Sequence, residues 1–242
     1  MRISRIYQAG IYQVDDIVPL NDNASHHLSR VLRQSVGDTV RLFNGEGLEC
    51  IADIVLCDKR HVSVEVKSLM TPTAESPLSI HLYQGISKGD KMDFSIQKAV
   101  ELGITQITPV MTARTQFKMS AERLAKKNGH WQGVIVSACE QSGRATLPRL
   151  NEALVFDQVD FTKLPTLSIM LDPTGDFSFD RLEQHGAEAA LFIGPEGGFS
   201  EDEMTLATKN NIQRVQCGPR ILRTETAGIV AISLLQHHFG DL

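Results

Sequence analysis

The sequence predicts an α/β protein in two parts, a small β-rich N-terminal part and a larger one built on a parallel sheet with helices on both faces. Three observations carry this. Before residue 70, short runs of alternating apolar and polar residues are separated by tight turns. After residue 78, short apolar runs alternate with segments of helical periodicity, the pattern of parallel strands joined by helices. Between them, Met70-Thr71-Pro72-Thr73-Ala74-Glu75-Ser76-Pro77 places two prolines among small and polar residues, a linker composition. The division assigns 1–72 to one domain and 73–242 to another.

In the first part, 39–43 alternates, Asn44-Gly45-Glu46-Gly47 turns, and 49–56 and 61–69 alternate again. One helix, about 23–32, interrupts them, with Asp22 or Asn23 as its cap and Leu28, Val31 and Leu32 on one face. Strands of this length with tight turns predict a small β-barrel. In the second part, 79–85, 104–110, 167–171, 187–193 and 212–216 read as strands. Helices are expected at 91–102, capped by Asp90; from Ser120 to about 139; at 200–209, opened by the capping box Ser200-Glu201-Asp202-Glu203; and from Thr224 to about 238.

Two glycine-rich stretches follow the last two strands. They are Ile193-Gly194-Pro195-Glu196-Gly197-Gly198-Phe199-Ser200 and Cys217-Gly218-Pro219-Arg220-Ile221-Leu222-Arg223-Thr224-Glu225-Thr226-Ala227. Each ends on a hydroxyl residue suited to cap a helix, Ser200 and Thr224. Loops of this kind at the carboxyl edge of a parallel sheet are where open α/β folds bind ligands. Neither has the Gly-x-x-x-x-Gly-Lys-Ser/Thr or Gly-x-Gly-x-x-Gly spacing of a phosphate or dinucleotide cradle, and Glu196 would repel a polyphosphate. Bare glycines let a ligand approach the backbone closely. A neutral or cationic adenosine-like ligand fits better, S-adenosylmethionine being one. The plain alternative is two left-handed turns with no ligand.

Length and composition bound the rest. The 242 residues are 42% hydrophobic and 22% charged, enough for a packed core. No apolar run approaches the ~20 residues that span a bilayer, and Met1 to Tyr7 carry no signal-peptide core, so a cytoplasmic, membrane-free protein is expected. Cys50, Cys57, Cys139 and Cys217 are scattered without metal-ligand spacing, and His237-His238 has no partner at such spacing, so no metal is assigned.

The net charge of −5 does not advertise nucleic-acid binding, but the distribution is uneven. From 114 to 149, Arg114, Lys118, Arg123, Lys126, Lys127, Arg144 and Arg149 face only Glu122 and Glu140, a local excess of +5. Such a face suits a polyanion, or is simply a solvated helix surface. Lys88-Gly89-Asp90-Lys91 opens a helix and offers lysines to a phosphate, or is a plain helix-start turn. On the first helix His27, Arg30 and Arg33 share an edge that can contact phosphates or bases; an ordinary amphipathic helix reads the same. Glu140-Gln141-Ser142-Gly143-Arg144 ends a long helix, with Gly143 at a C′ position and Arg144 complementing the helix terminus.

Taken together these segments resemble the RsmE family of 16S ribosomal RNA (uracil-N3)-methyltransferases, of the SPOUT superfamily. The likeness runs through His26 to Arg33, Gly37 to Gly45, Lys88 to Gly103, Glu140 to Arg144, Gly194 to Ser200 and Gly218 to Ala227. It implies a PUA-like RNA-binding barrel, an α/β methyltransferase domain whose last segment threads a trefoil knot, and a homodimer joined through the knot region and last helix. It also implies S-adenosylmethionine as methyl donor and N3-methyluridine in 16S RNA of the small subunit as product. On this sequence the cofactor pocket would comprise the end of the 167–171 strand with Leu171, then Ile193, Gly194, Pro195, Glu196 and Gly198, then Cys217, Gly218, Ile221, Leu222 and Thr224. Leu171, Ile193, Ile221 and Leu222 would line the adenine. Arg223 and Glu225 are the leading catalytic pair, with Glu196 the other candidate proton acceptor and a structural ion pair the plain reading of the two. RNA would be held by His27, Arg30, Arg33, Lys88, Lys91, Arg114, Lys118, Arg144 and Arg220. A 2′-O-ribose methyltransferase of the same superfamily and a non-catalytic RNA-binding protein are the rival expectations.

Overall fold

The computed structural model describes residues 3–58, 60–72, 74–115, 120–183 and 186–242. The chain forms two compact units, Met1–Glu75 with Cys139–Leu147, and Ser76–Ala138 with Pro148–Leu242.

The N-terminal unit contains β1 (Ser4–Tyr7), β2 (Ile17–Pro19), α1 (Asp22–His26), β3 (Thr39–Phe43), β4 (Glu49–Cys57) and β5 (Val62–Met70). They form one sheet in the order β1-β3-β4-β5-β2. β1 pairs parallel with β3; the other pairs are antiparallel. The alternation read from the sequence is physical: Val40 and Leu42, Cys50, Ala52 and Ile54, and Val62, Val64 and Val66 point into one core with Leu28 and Ile6. Register shifts at Ile51/Ala52 and Ile54/Leu56 bend the β4–β5 ladder.

The helix expected over 23–32 takes a different course. Its cap is Asn21, whose side chain accepts from the Ala24 N–H at 2.9 Å. α1 then passes into a π-helical turn, His27–Val31, in which the Leu32 N–H reaches the His27 carbonyl. A π turn advances the chain by an extra residue, so of the three apolar residues expected to share a face only Leu28 is buried; Val31 and Leu32 are 60% and 40% exposed.

Residues 139–147 belong to this unit through polar contacts. The Arg5 guanidinium binds the Glu49 carboxylate at 3.0 Å and donates to the carbonyls of Cys139 and Arg144 at 2.6 and 3.3 Å. The Tyr7 N–H donates to Glu140 at 3.0 Å. Gly143 is the expected left-handed C′ residue, φ +90°. Arg144, expected at an RNA surface, is instead 3% exposed and paired with Glu75 at 2.6 Å. Stripping a buried guanidinium of its carboxylate to meet RNA would leave an unpaired buried charge, so Arg144 is a structural residue.

The second unit contains β6 (Ser79–Gly85), α2 (Asp90–Glu101), β7 (Gln106–Met111), most of α3 (Ala121–Ser142), β8 (Arg149–Leu150), β9 (Leu154–Val155), β10 (Leu167–Leu171), β11 (Glu188–Ile193), α4 (Glu201–Lys209), β12 (Gln213–Val215) and α5 (Thr224–Phe239). Its sheet is parallel throughout, ordered β12-β10-β11-β6-β7-β8, with β9 also on β7. The capping box of α4 forms as read: Glu203 N–H to Ser200 Oγ at 3.2 Å and Ser200 N–H to Glu203 at 2.7 Å. Two expected caps do not. Gly89 (φ +59°), not Asp90, precedes α2, and Arg223, not Thr224, precedes α5. α5 packs on α2 and β11.

His81 on β6 stacks on Tyr83, which stacks on Phe192, at centroid distances of 4.0 and 4.4 Å. Burial, with a smaller push from the Arg149 charge, lowers its pKa from 6.5 to about 4. Between these values the unfolded chain binds the extra proton, so stability falls as pH drops from about 6.5 towards 4 and is insensitive to this group above 6.5. Urea midpoints at pH 7 and 4.5 should show this loss, and His81→Gln should reduce it; an unchanged pH response in the variant would contradict the assignment.

Candidate active site

β10 pairs with β11 on one side and β12 on the other. The loops leaving the carboxyl ends of these three strands therefore lie side by side, although up to fifty residues of sequence separate them. They enclose a cleft of about 630 Å³, within the range of small-molecule sites. All eleven residues expected to hold a cofactor line it, as do Arg223, Glu225, Lys91, Arg114 and Arg220.

Close backbone approach shapes the cleft. At the end of β6, a Cβ on Gly85 would lie 2.4 Å from the Pro195 nitrogen, so only glycine lets the first loop cross there. Gly198 and Gly218 have φ of +69° and +71°, with nothing within 4 Å of an added Cβ. Their need for glycine is conformational. Ile193 is fully buried beneath the cleft and Leu222 half-buried beside it, but Ile221 stands at the mouth, 83% exposed.

The charges divide into engaged and free. Glu196 accepts from the Lys91 ammonium at 3.1 Å and the Lys88 N–H at 3.4 Å. Burial pushes its carboxyl up, but its own backbone N–H, Lys91 and Lys88 outweigh this and hold it below the usual carboxylate value. The Arg114 guanidinium donates to the Gly197 carbonyl at 3.2 Å. Asp172, 7% exposed, binds the Arg214 guanidinium at 2.6 Å and the Thr174 N–H and hydroxyl at 2.8 and 2.9 Å. Burial raises its pKa, and these donors together bring it below the usual value. By contrast, Arg220 and Arg223 are exposed and have no side-chain partner among the described residues. Glu225 presents a buried Oε2 with no hydrogen-bond partner among the described residues. The structural ion pair between Arg223 and Glu225 is not formed.

The other expected RNA contacts are not among the residues lining the cleft. His27, Arg30 and Arg33 are exposed in the N-terminal unit, Arg33 with φ +53°. The Lys88 side chain is exposed in the second unit. Lys118 lies outside the described residues. Sequence reasoning missed Asp172, Thr174, Arg214 and Gln84. Asp172-Pro173-Thr174-Gly175 directly after a strand was a legible turn signal; Gln84, inside an apolar run, gave none.

A family model described as RNA methyltransferase domain matches residues 74–236, and one described as RNA methyltransferase PUA domain matches 20–67. The chain is 35% identical to the ribosomal RNA small subunit methyltransferase E of Buchnera aphidicola subsp. Schizaphis graminum, over 100% of this chain and 98% of the relative. A putative methyltransferase from Legionella pneumophila, solved with bound SAM, superposes with a TM-score of 0.96 at 41% identity, both chains covered completely. The ribosomal RNA small subunit methyltransferase E from Neisseria gonorrhoeae, bound to S-adenosyl methionine, gives 0.92 at 36% identity, again over both whole chains. With a cleft of this construction, a domain model spanning most of its length and relatives aligned end to end, this chain belongs to the ribosomal RNA small subunit methyltransferase E family of RNA methyltransferases.

Proposed function

We propose that the protein is an S-adenosylmethionine-dependent methyltransferase that modifies N3 of a uridine in 16S ribosomal RNA. The observation that carries this is the cleft itself. Two glycine loops expose backbone over an apolar floor, while two unpaired arginines and one unpartnered carboxylate stand at the same edge.

The residues present fit the cofactor. Leu171, Ile193 and Leu222 offer apolar surface to an adenine, and the open backbone at Gly198 and Gly218 offers polar contacts without side-chain obstruction. Of the carboxylates lining the cleft, Asp172 and Glu196 are already paired with Arg214 and Lys91, and Glu225 keeps an oxygen with no partner among the described residues. When bound, S-adenosylmethionine supplies an electrophilic methyl group.

The chain's own task is to present a nucleophile. Uracil N3 carries a proton and attacks poorly until it leaves. Glu225 accepts that proton: its Oε2 is uncommitted, whereas Glu196 is held as a low-pKa carboxylate by Lys91 and Lys88. Arg223, with Arg220 beside it, balances the negative charge left on the uracil carbonyls. Lys91 and Arg114 hold the first glycine loop in place and so shape the site. His27, Arg30 and Arg33 supply RNA grip from the PUA-like unit.

The reading includes a homodimer in the cytoplasm. It is supported by α5, apolar on both faces: Gly228, Ala231, Ile232 and Leu235 are buried, and Ile229, Val230 and Leu234 are left half-buried in a single chain. Among the described residues no helix is long and apolar enough to cross a membrane. It also includes the trefoil knot that the family likeness implies, for which the placement of β12 outside β10 and the return of α5 to β11 are the supporting topology.

Methyl-labelled S-adenosylmethionine, supplied with small ribosomal subunits lacking the modification, should put label into N3-methyluridine on nucleoside mass spectrometry. Label in a 2′-O-methyl nucleoside, or none, would contradict the assignment. Arg223→Ala and Glu225→Gln should each slow methylation on the order of 10²-fold with cofactor binding nearly unchanged; near-normal rates would remove them from the mechanism. RNA affinity should fall steeply with salt, by about 0.7–0.9 in log K per log salt for each phosphate contacted, and a flat response would deny the protein an electrostatic RNA surface.

A further inference from the structure

β6 ends in Tyr83-Gln84-Gly85, and Gln84 is completely buried, 0% exposed. A buried amide in an apolar strand must have its polar atoms satisfied or lose stability. Here the satisfaction is one-sided. Nε2 donates to the Gly85 carbonyl and to the Thr224 hydroxyl, both at 3.2 Å, while Oε1 has no partner among the described residues. Turning the amide over would set its oxygen against the Gly85 carbonyl, so the neighbours impose this orientation.

The Thr224 hydroxyl, having accepted from Gln84, uses its single hydrogen on the Gly194 carbonyl at 2.6 Å. The result is a directional relay, amide to hydroxyl to carbonyl, from the end of β6 to both glycine loops. Gly194 opens the first loop; Thr224 closes the second and stands between Arg223 and Glu225. On the other side of the amide Gly228 leaves room for it, a Cβ there lying 3.7 Å from Oε1. An apolar side chain of similar size would fill the same space without an orphaned oxygen, so packing alone does not call for glutamine.

We infer that Gln84 is a positioning residue: through Thr224 it fixes the Gly194 carbonyl and the first turn of α5, and thereby sets the spacing of the two cofactor loops and the placement of Arg223 and Glu225. The inference rests on the cleft being the S-adenosylmethionine site. It gives the Thr224 side chain an internal partner on each side, in place of a helix cap.

The test is calorimetric titration of S-adenosylmethionine into the full-length protein, alongside thermal melts and methylation rates. Wild-type protein that binds no S-adenosylmethionine would overturn the cofactor reading itself, and this inference with it. Given binding, Gln84→Met should raise Kd by about five- to tenfold, the loss of one hydrogen bond, and lower kcat, with little change in Tm. Thr224→Val should do the same, and Thr224→Ser should recover most of what Thr224→Val loses. Because both substitutions cut one relay, the double variant Gln84→Met/Thr224→Val should be no worse than the weaker-binding single. A Gln84→Met protein that folds and binds S-adenosylmethionine as wild type does, or effects that add in the double variant, would overturn the inference. If Gln84→Met does not fold, the Thr224 pair decides: equal Kd for Thr224→Val and wild type overturns it.

Discussion

The site depends on one constraint, the parallel pairing of β10 between β11 and β12. Parallel strands end at the same edge, so this register brings the loops after Leu171, Ile193 and Val215 to one place. None of the three encloses a ligand alone. Backbone polar groups in loops without side chains need neighbours to fix them. Gly85 beneath Pro195, Asp172 tied to Arg214, and Thr224 tied to Gly194 supply those neighbours from the ends of β6 and β10 and the start of α5.

Charge is allotted around the cleft in the same way. Of the four basic residues lining it, Lys91 and Arg114 are spent on the first glycine loop, binding Glu196 and the Gly197 carbonyl. Arg220 and Arg223 are exposed, with no side-chain partner among the described residues. The carboxylates mirror this: Asp172 and Glu196 are satisfied by the chain's own donors, and Glu225 retains an unpartnered oxygen. Groups already committed hold the architecture, and under the proposed function the uncommitted ones are those that meet the substrate.

Much of this was legible because local physics decided it. Alternation over 39–43 and 49–56 meets a one-sided core, so period two is enforced. Ser200 and Glu203 cap α4 within four residues of one another. What escaped sequence reasoning was set at a distance. The π turn at His27–Val31 overrides a 3.6-residue face and turns Val31 and Leu32 outward. Thr224 reads as a cap, yet its hydroxyl is claimed by Gly194, thirty residues earlier. Arg144 reads as a free cation until Glu75, 69 residues away, is seen to bury it. Gln84 carries no pattern at all. Its role exists only because β6 ends beneath both loops.

The central claim is that three loops separated in sequence make one cofactor cleft, and hydrogen exchange tests it most directly. With S-adenosylmethionine added to the full-length protein, amides at 171–175, 193–199 and 217–225 should slow together. Protection confined to a single loop, or found only in the N-terminal unit, would contradict the account.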